Sequence, residues 1–389
     1  MDGLHHDLAI AGGGLAGGLT ALAVHRARPD LKLLLVEGET RLGGNHVWSF
    51  FSSDVDAEGL ALLQPMIAQS WDGYDVRFPA RERRLSTRYH SIRSADFDRV
   101  VRAALPVETV RLGAEIADVA PDAIMLASGE TIAARAVLDC RGGGDLSALD
   151  CGWQKFAGLE LELAAPHGLA RPIVMDAGVE QIDGYRFVYV LPFGEKRLFV
   201  EDTYYSDGPE LDADAIEARI LAYAQAQGWA VDRVAARETG VLPVVIGGDF
   251  ERYWQAGGKA AKAGVRAGLF HPVTGYSLPD AVAAAHFIAR LLPLDGVALA
   301  EKLHRYAKDR WTERGYYRML DTMLFRAAEP DERYRIFERF YGLGEPLIER
   351  FYSASSTLAD KIRILSGRPP VPVHRAVRAL ASSRGAGKR

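Results

Sequence analysis

The first forty residues combine two short apolar runs with one stretch of helical apolar spacing. Residues 8–11 and 31–36 are almost entirely aliphatic, which is typical of buried strands, and residues 15–27 carry apolar side chains at helical intervals. A buried strand, a helix and a second buried strand in this order predict a βαβ unit at the start of an α/β fold.

The middle of the chain has a different pattern. Residues 158–165 alternate apolar and acidic positions, which predicts a half-buried strand, and residues 172–177, 185–193 and 196–204 also have strand composition. The last two strands are close enough for a hairpin, and residues 211–227 favour a helix. We therefore expect an antiparallel sheet inserted into the α/β fold, where it would cover a substrate.

Glycines directly follow the first predicted strand in the spacing Gly12-x-Gly14-x-x-Gly17, and Glu37 ends the second strand. In a dinucleotide fingerprint the first glycine permits a tight turn, the second lets the backbone approach a pyrophosphate, and the third allows close helix–strand contact. Free N–H groups at the helix start bind phosphate, and the acidic residue accepts hydrogen bonds from a ribose hydroxyl. The combination predicts a nucleotide site.

Three further segments favour FAD over NAD. Arg41 and the Gly43–Gly44 pair follow the acidic residue as in flavoproteins with two dinucleotide-binding domains. Residues 136–142 resemble the strand that returns to the nucleotide domain in those proteins. A late glycine loop over residues 268–275, followed by a predicted helix over residues 276–292, would lie beside the flavin ring.

These patterns predict an α/β fold: a Rossmann-like two-dinucleotide-binding-domain flavoprotein with an inserted antiparallel β-sheet substrate domain and a C-terminal helical region. The FAD-binding domain is expected to be discontinuous, and the helical region to end in a basic tail. The predicted boundaries are 1–75, 105–150 and 255–296 for the FAD-binding domain, 76–104 and 151–254 for the substrate domain, 297–375 for the helical region, and 376–389 for the tail.

Composition narrows the possible partners. The net charge of the 389-residue chain is −4, so no global basic character points to nucleic acid. Cys140 and Cys151 lack the spacing of a metal site, and we predict no metal. No apolar run is as long as the roughly 18 residues of a spanning helix. Residues 361–389 hold eight basic and no acidic side chains, which fits a solvated tail or a patch for anionic lipid.

Two adjacent carboxylates, Glu201 and Asp202, interrupt the apolar and aromatic run LFVEDTYY. The pair could end a strand at the surface, or one carboxyl could face an apolar substrate. Adjacent side chains of a regular strand point to opposite faces, so at most one of them faces a given substrate atom. Burial among apolar groups raises the pKa of a carboxyl, so such a group would keep its proton near neutral pH.

Several segments together resemble the bacterial lycopene β-cyclases. They are GGNHVWSFF (43–51), GYRFVYVLP (184–192), VEDTYY (200–205), GLFHPVTGYSLP (268–279), RFYGL (339–343) and RILSGRPPVPV (363–373). The resemblance extends from residue 7 to about residue 375. It implies a non-redox isomerase that converts lycopene to β-carotene through γ-carotene by acid-initiated carbocation cyclisation. It also implies a requirement for reduced FAD, with NAD(P)H as reductant.

The resemblance implies roles for individual residues. Glu201 matches the family's catalytic glutamate, and Asp202 is either a second acid or a hydrogen-bonding partner. Tyr185, Phe187 and Tyr189 alternate along one strand, where they line a polyene tunnel or form ordinary sheet core. Cofactor contacts are expected from the fingerprint, the segment after it and the late loop: Gly12, Gly14, Gly17, Glu37, Arg41, Gly44, His46, Gly268, His271, Gly275 and Tyr276. His271, beside a proline, is expected to position the loop.

Two other functions stay open on the sequence alone. One is a redox flavoenzyme, a monooxygenase or reductase acting on a lipophilic polyene; the other is a carotenoid-binding flavoprotein without turnover.

Because lycopene is insoluble in water, we expect a protein that collects its ligand from lipid. This implies a cytoplasmic protein attached peripherally to the inner membrane.

Overall fold

A computed structural model describes residues 6–367 and 371–386 of the chain. Its eighteen described strands are β1 Leu8–Ala11, β2 Leu33–Val36, β3 Val47–Phe51, β4 Gln69–Trp71, β5 Tyr74–Phe78, β6 Arg81–Leu85, β7 Tyr89–Arg93, β8 Val110–Arg111, β9 Ile116–Ala120, β10 Ala123–Leu126, β11 Thr131–Ala133, β12 Val137–Asp139, β13 Leu149–Leu163, β14 Ile173–Asp176, β15 Tyr185–Gly194, β16 Arg197–Ser206, β17 Val231–Gly248 and β18 Ala261–Lys262. The described α-helices are α1 Leu15–Ala27, α2 Ala57–Leu63, α3 Ser94–Ala104, α4 Ala213–Ala226, α5 Phe250–Ala256, α6 Leu278–Leu291, α7 Gly296–Glu313, α8 Gly315–Arg326, α9 Tyr334–Phe340, α10 Glu345–Tyr352, α11 Leu358–Leu365 and α12 Val373–Ala386.

A five-stranded parallel sheet forms the first layer, in the order β18-β12-β1-β2-β8. All four residues of β1 and of β2 are buried, as expected of aliphatic strands covered on both faces. Helix α1 packs against α6, which comes after β18 and begins about 250 residues after α1 ends. The predicted βαβ unit is therefore confirmed, and the sheet recruits strands from three separated parts of the sequence.

A seven-stranded sheet forms the second layer, in the order β17-β13-β16-β15-β14-β5-β6. Its pairs are antiparallel apart from β14 and β5, and β15 and β16 form the predicted hairpin. Helix α4 covers one face, where Val188 and Val200 pack with Ile220. Phe187 and Phe199 point to the other face, in the same apolar cluster as side chains from the C-terminal helices. The two faces of β16 therefore have different neighbours.

The predicted alternation in residues 158–165 is confirmed, because Leu159 and Leu161 are buried while Glu160 and Glu162 are half-buried. The long strand β17 and the small sheets β11-β10-β9 and β3-β7-β4 were not expected from the sequence pattern. Helix α12 begins at Val373, so residues 376–386 of the predicted tail are helical. The domain boundaries themselves stay a prediction.

Across the described ranges no helix is both long and apolar enough to cross a bilayer. Within the same ranges, no group of His, Cys, Asp or Glu side chains is arranged to hold a metal ion.

Candidate active site

A cavity of about 590 Å³ extends from the glycine loop after β1 to the middle of β16. Its walls come from the five-stranded and seven-stranded sheets, from β3 and β7 of a smaller sheet, and from the loop before α6. Ten of the residues singled out in the sequence line it: Gly12, Gly14, Glu37, Arg41, Gly44, His46, Tyr189, Glu201, Gly275 and Tyr276. The fold therefore brings the nucleotide fingerprint and the acidic strand, about 190 residues apart, to one space.

The three fingerprint glycines have distinct surroundings. Gly12 has a φ of +101°, a backbone conformation that favours glycine. A Cβ on Gly17 would lie 2.0 Å from the carbonyl oxygen of Gly12, so a side chain there would break the contact between α1 and the loop. A Cβ on Gly14 would meet nothing within 4 Å, because this residue faces the open cavity.

The nucleotide end of the cavity fits a dinucleotide. Gly14 is the residue before α1, whose first turn has no acidic side chain, so the free N–H groups there are available to a pyrophosphate. The Glu37 carboxylate accepts hydrogen bonds from the Gly13 N–H at 2.6 Å and the Glu39 N–H at 3.0 Å. Its position at the end of β2 is where an acidic residue accepts hydrogen bonds from a ribose hydroxyl.

Farther along the cavity, the wall also carries an unsatisfied acceptor. Gln154 is buried on β13, and its Oε1 has no hydrogen-bond partner among the described residues. Because an orphaned buried oxygen is costly, a bound group with an N–H donor would satisfy it. Trp48 lines the wall as well. These features suit the flavin half of FAD, and Gln154 was not anticipated from the sequence.

Glu201 faces the cavity from the centre of β16. Thr203, two residues along the same face, donates its hydroxyl to Glu201 Oε1 at 2.6 Å. Burial, together with the charge of the neighbouring Glu238 carboxylate, raises the pKa of Glu201 to about 8, although the Thr203 hydroxyl opposes the shift. Glu201 therefore holds its proton at neutral pH, in a cavity that Phe156, Leu191, Phe199 and Leu242 make largely apolar.

Glu238 is the main site residue that the sequence did not reveal. It lies on β17, is 4% exposed, and lines the same cavity as Glu201. Its Oε1 contacts His46 Nδ1 at 2.9 Å, and its Oε2 accepts from the Val47 N–H at 3.1 Å. Burial raises its pKa, while the bond to His46 opposes that shift. Glu238 lies among other charged residues of β17, so the sequence does not indicate that it is buried. Only the fold shows that its side chain points into the cavity.

Asp202 points away from the cavity, as the strand alternation requires. It is fully buried on the α4 side of the sheet, where Arg186 Nε and Nη2 donate to its two oxygens at 2.9 Å each. The Tyr204 hydroxyl donates a further bond at 2.8 Å. The structure therefore does not bring Asp202 to the site as a second acid; it places the residue as the partner of a buried arginine.

The three aromatic residues of β15 separate into two groups. Tyr189 lines the cavity, whereas Tyr185 and Phe187 are buried in the sheet core, and Phe337 stacks on Tyr185 with ring centroids 4.5 Å apart. Of the two alternatives left by the sequence, sheet core therefore describes Tyr185 and Phe187, and only Tyr189 of the three lies on the cavity wall. The C-terminal helices cover this end of the strand.

The cavity also contains a chain of three tyrosine hydroxyls. The Tyr276 hydroxyl lies 2.7 Å from that of Tyr189 and 3.1 Å from that of Tyr89. Tyr89 comes from β7 and was not singled out in the sequence. The three residues join β7, β15 and the loop before α6, and two hydrogen bonds link their hydroxyl groups in a largely apolar wall.

His271 and Gly268 lie outside the cavity wall. His271 is buried, its Nδ1 accepts from the Val273 and Thr274 N–H groups at 3.2 and 3.3 Å, and its Nε2 lies 3.0 Å from the Phe351 carbonyl oxygen. Burial lowers its pKa to about 3, so the ring is neutral and fixes the loop that ends at Tyr276. Gly268, with a φ of +70°, ends a short turn before that loop.

The fold is shared with flavoproteins of known structure. A geranylgeranyl bacteriochlorophyll reductase-like protein from Thermoplasma acidophilum is 13% identical with a TM-score of 0.61, covering 97% of this chain and 99% of the other. A flavin-dependent brominase is 12% identical with a TM-score of 0.63 over 98% and 99%. A halogenase solved with FAD is 10% identical with a TM-score of 0.62 over 98% and 96%. These likenesses show the fold.

Sequence relatives are much more similar. A lycopene beta-cyclase from Pantoea ananas is 42% identical over 97% of this chain and 99% of its own length. Another, from Pseudescherichia vulneris, is 44% identical over 96% of both chains, and one from a Paracoccus species is 44% identical over 96% and 97%. The family model described as lycopene cyclase protein matches residues 7–378. The chain therefore belongs to the lycopene cyclase family.

Proposed function

We propose that this protein is a lycopene β-cyclase, an isomerase that converts lycopene to β-carotene through γ-carotene. The observation that carries the proposal is Glu201. Its carboxyl, with a pKa raised to about 8, faces the apolar part of a cavity whose other end has the geometry of a dinucleotide site. A protonated acid inside an apolar wall is what the protonation of an alkene requires.

In the proposed reaction, the Glu201 carboxyl transfers its proton to the terminal double bond of lycopene. The resulting tertiary cation is attacked by the neighbouring double bond, which forms the six-membered ring. Loss of a ring proton then restores neutrality. One proton enters and one leaves at each end, so product and substrate have the same mass.

Two carboxylates are placed to accept the ring proton. One is Glu201 itself after it has donated its proton. The second is Glu238, which His46 holds in place. Because both line one cavity, either could return the site to its singly protonated state. The rings of Tyr189 and Phe199 add attraction for a cation, worth about 1–2 kcal/mol each in a desolvated position.

FAD is the cofactor that this cavity fits. Gly12, Gly14 and the start of α1 would hold its pyrophosphate, Glu37 its ribose, and the wall around His46 and Gln154 its ring system. When bound in the reduced form, FAD would supply negative charge that stabilises a carbocation. We propose NAD(P)H as the reductant. We also propose that the protein lies peripherally on a membrane, because its substrate is dissolved in lipid.

The test is an anaerobic incubation of the FAD-loaded protein with lycopene and NADPH, followed by chromatography and mass measurement. Products with one or two rings and unchanged mass are expected. A mass increase of one oxygen would indicate a monooxygenase, and a change of two hydrogens a reductase. Lycopene that binds without conversion would indicate a carotenoid-binding protein.

A further inference from the structure

Helix α11 presents an apolar stripe to solvent. Leu358, Ile362 and Leu365 are 73%, 59% and 49% exposed, and their i, i+4, i+7 spacing places them on one side of the helix. Asp360 and Ile364 face the protein instead. A contiguous row of large aliphatic side chains on an outer helix is uncommon for a surface that meets only water.

The stripe is held rigidly. Thr357 and Asp360 form a reciprocal cap at the start of α11, and Asp360 also receives two hydrogen bonds from Arg350 at 2.6 and 2.7 Å. At the other end, Arg339 donates to the carbonyl oxygens of Ile364, at 2.8 Å, and Ser366. Both ends of this eight-residue helix are therefore fixed to the rest of the protein.

An arginine-lined pocket of about 630 Å³ lies at the C-terminal end of α11. Its charged lining residues are Arg81, Arg335, Glu338, Arg339 and Arg363. Glu338 accepts a hydrogen bond from the Ala80 N–H at 2.7 Å. Four arginines and one carboxylate thus line the pocket; Arg335 is also paired with Glu332 at 3.1 Å, and Arg339 donates to the two backbone carbonyls named above. Burial and the neighbouring Arg363 lower the pKa of Arg339, as expected where like charges are not compensated.

We propose that the α11 stripe and this arginine pocket together form the docking surface for an anionic lipid membrane. Leu358, Ile362 and Leu365 enter the boundary between head groups and acyl chains, and the pocket binds the phosphate of a lipid head group. The inference deepens the proposed function, since a lipid-dissolved substrate must be collected from a membrane.

Three features favour a lipid surface over a protein partner. The exposed stripe is aliphatic, whereas the centres of protein interfaces are enriched in aromatic residues. Lys361 lies three residues after Leu358 and four before Leu365 on α11, so a basic group borders the stripe, as in helices that lie in an anionic interface. Guanidinium groups bind phosphate through paired hydrogen bonds, and Arg81 and Arg363 bring two of them to the pocket wall.

The experiment measures flotation of the full-length, FAD-loaded protein with two kinds of vesicle. One contains phosphatidylcholine alone, and in the other phosphatidylglycerol replaces part of it. Binding to the anionic vesicles is expected. The pair Leu358→Ser and Ile362→Ser should weaken it at least about tenfold, since about 1.4 kcal/mol of burial is lost. The pair Arg81→Gln and Arg363→Gln should weaken it at least about tenfold at low salt and less at high salt.

Matched controls are equally exposed residues elsewhere. Val107 and Val297 are 88% and 60% exposed, so Val107→Ser with Val297→Ser should leave vesicle binding unchanged. Arg84→Gln with Arg99→Gln serves the same purpose for charge. Inorganic phosphate should compete somewhat better than chloride at equal ionic strength, because it offers the pocket the same oxygens, but it should not release the protein fully while the stripe stays in the lipid. Complete displacement by phosphate, with no effect of Leu358→Ser and Ile362→Ser, would show a soluble-anion site and overturn the lipid assignment.

Activity separates this proposal from the proposed function. The stripe variants should keep wild-type turnover with lycopene in detergent micelles and lose it with lycopene in vesicles. A wild-type enzyme that cyclises micellar lycopene but ignores anionic vesicles would overturn the docking surface alone. Stripe variants that bind vesicles normally but change the oligomeric state would show instead that this face is a protein interface.

Discussion

Glu201 and Glu238 lie in register with the same residue, Gly158, on the two strands that flank β13. Residues in one row of a sheet point to the same face, so both carboxyl groups enter one cavity. The charge of one opposes ionisation of the other, which helps keep a proton at this site. Gly158 has no room for a side chain, because a Cβ there would lie 2.4 Å from the Phe199 ring.

The first prediction concerns the acid itself. Glu201→Gln keeps the size and polarity of the side chain but removes the transferable proton, so cyclisation should fall by about a hundredfold to ten-thousandfold. FAD binding, measured by flavin fluorescence, should persist. Glu162→Gln, on β13 in surface ion pairs with Arg197 and Arg233, is the matched control. Full activity in Glu201→Gln would show that another group donates the proton.

The second prediction concerns pH. The raised pKa of Glu201 means that the active, protonated form prevails below about pH 8 and is lost as pH rises through that value. The rate with saturating lycopene should therefore decline on the alkaline side. Glu238→Gln removes a negative neighbour and lowers the pKa of Glu201, so the decline should begin at lower pH. An unchanged pH profile in this variant would show that the charge of Glu238 does not affect the pKa of Glu201.

The third prediction assigns Asp202 to stability. Asp202→Asn leaves the Arg186 guanidinium buried without its counter-charge, which should cost about 3–5 kcal/mol in the free energy of unfolding measured with urea. Turnover per folded molecule should stay within about twofold, an effect below ~0.5 kcal/mol. Replacing both partners, with Asp202→Leu and Arg186→Met, should recover most of the stability. Loss of turnover at wild-type stability would instead place Asp202 in the reaction.

The fourth prediction separates cofactor binding from folding. A Cβ on Gly14 meets open space, so Gly14→Ala should fold normally while obstructing the approach of the FAD pyrophosphate and weakening FAD binding. A Cβ on Gly17 would collide with the Gly12 carbonyl, so Gly17→Ala should lower the thermal midpoint of the apoprotein. In flavin titration Gly14→Ala should bind FAD more weakly than Gly17→Ala. In calorimetry of the apoproteins Gly17→Ala should have the lower thermal midpoint.

Short sequence patterns predicted the parts of the fold that depend on residues close together in the chain. The βαβ unit follows from aliphatic runs and glycine spacing, and the opposite faces of Glu201 and Asp202 follow from the two-residue period of a strand. Both were found as expected. The hydrogen bonds from Arg186 to Asp202, 16 residues apart in the chain, form because β15 pairs with β16 in a hairpin.

The remaining site residues depend on contacts between distant parts of the chain. Glu238 reaches His46 across 192 residues, and Tyr89 reaches Tyr276 across 187. Neither residue stands out locally, since Glu238 follows Arg237 in a charged stretch and Tyr89 follows Arg88. Tyr185 and Tyr189 share a strand face, and only the packing of α9 against one end buries the first and leaves the second on the cavity.

The hydrogen-bonded tyrosines bear on the fidelity of the reaction. A carbocation combines with the first electron pair that reaches it, and an oxygen that wins this competition yields an alcohol in place of a ring. Two hydrogen bonds hold the hydroxyl oxygens of Tyr89, Tyr189 and Tyr276 in fixed positions beside one another, so these oxygens are not free to turn toward a cation elsewhere in the cavity. The contact that joins β7, β15 and the loop before α6 thus favours attack on the cation by the intramolecular double bond over attack by a hydroxyl oxygen.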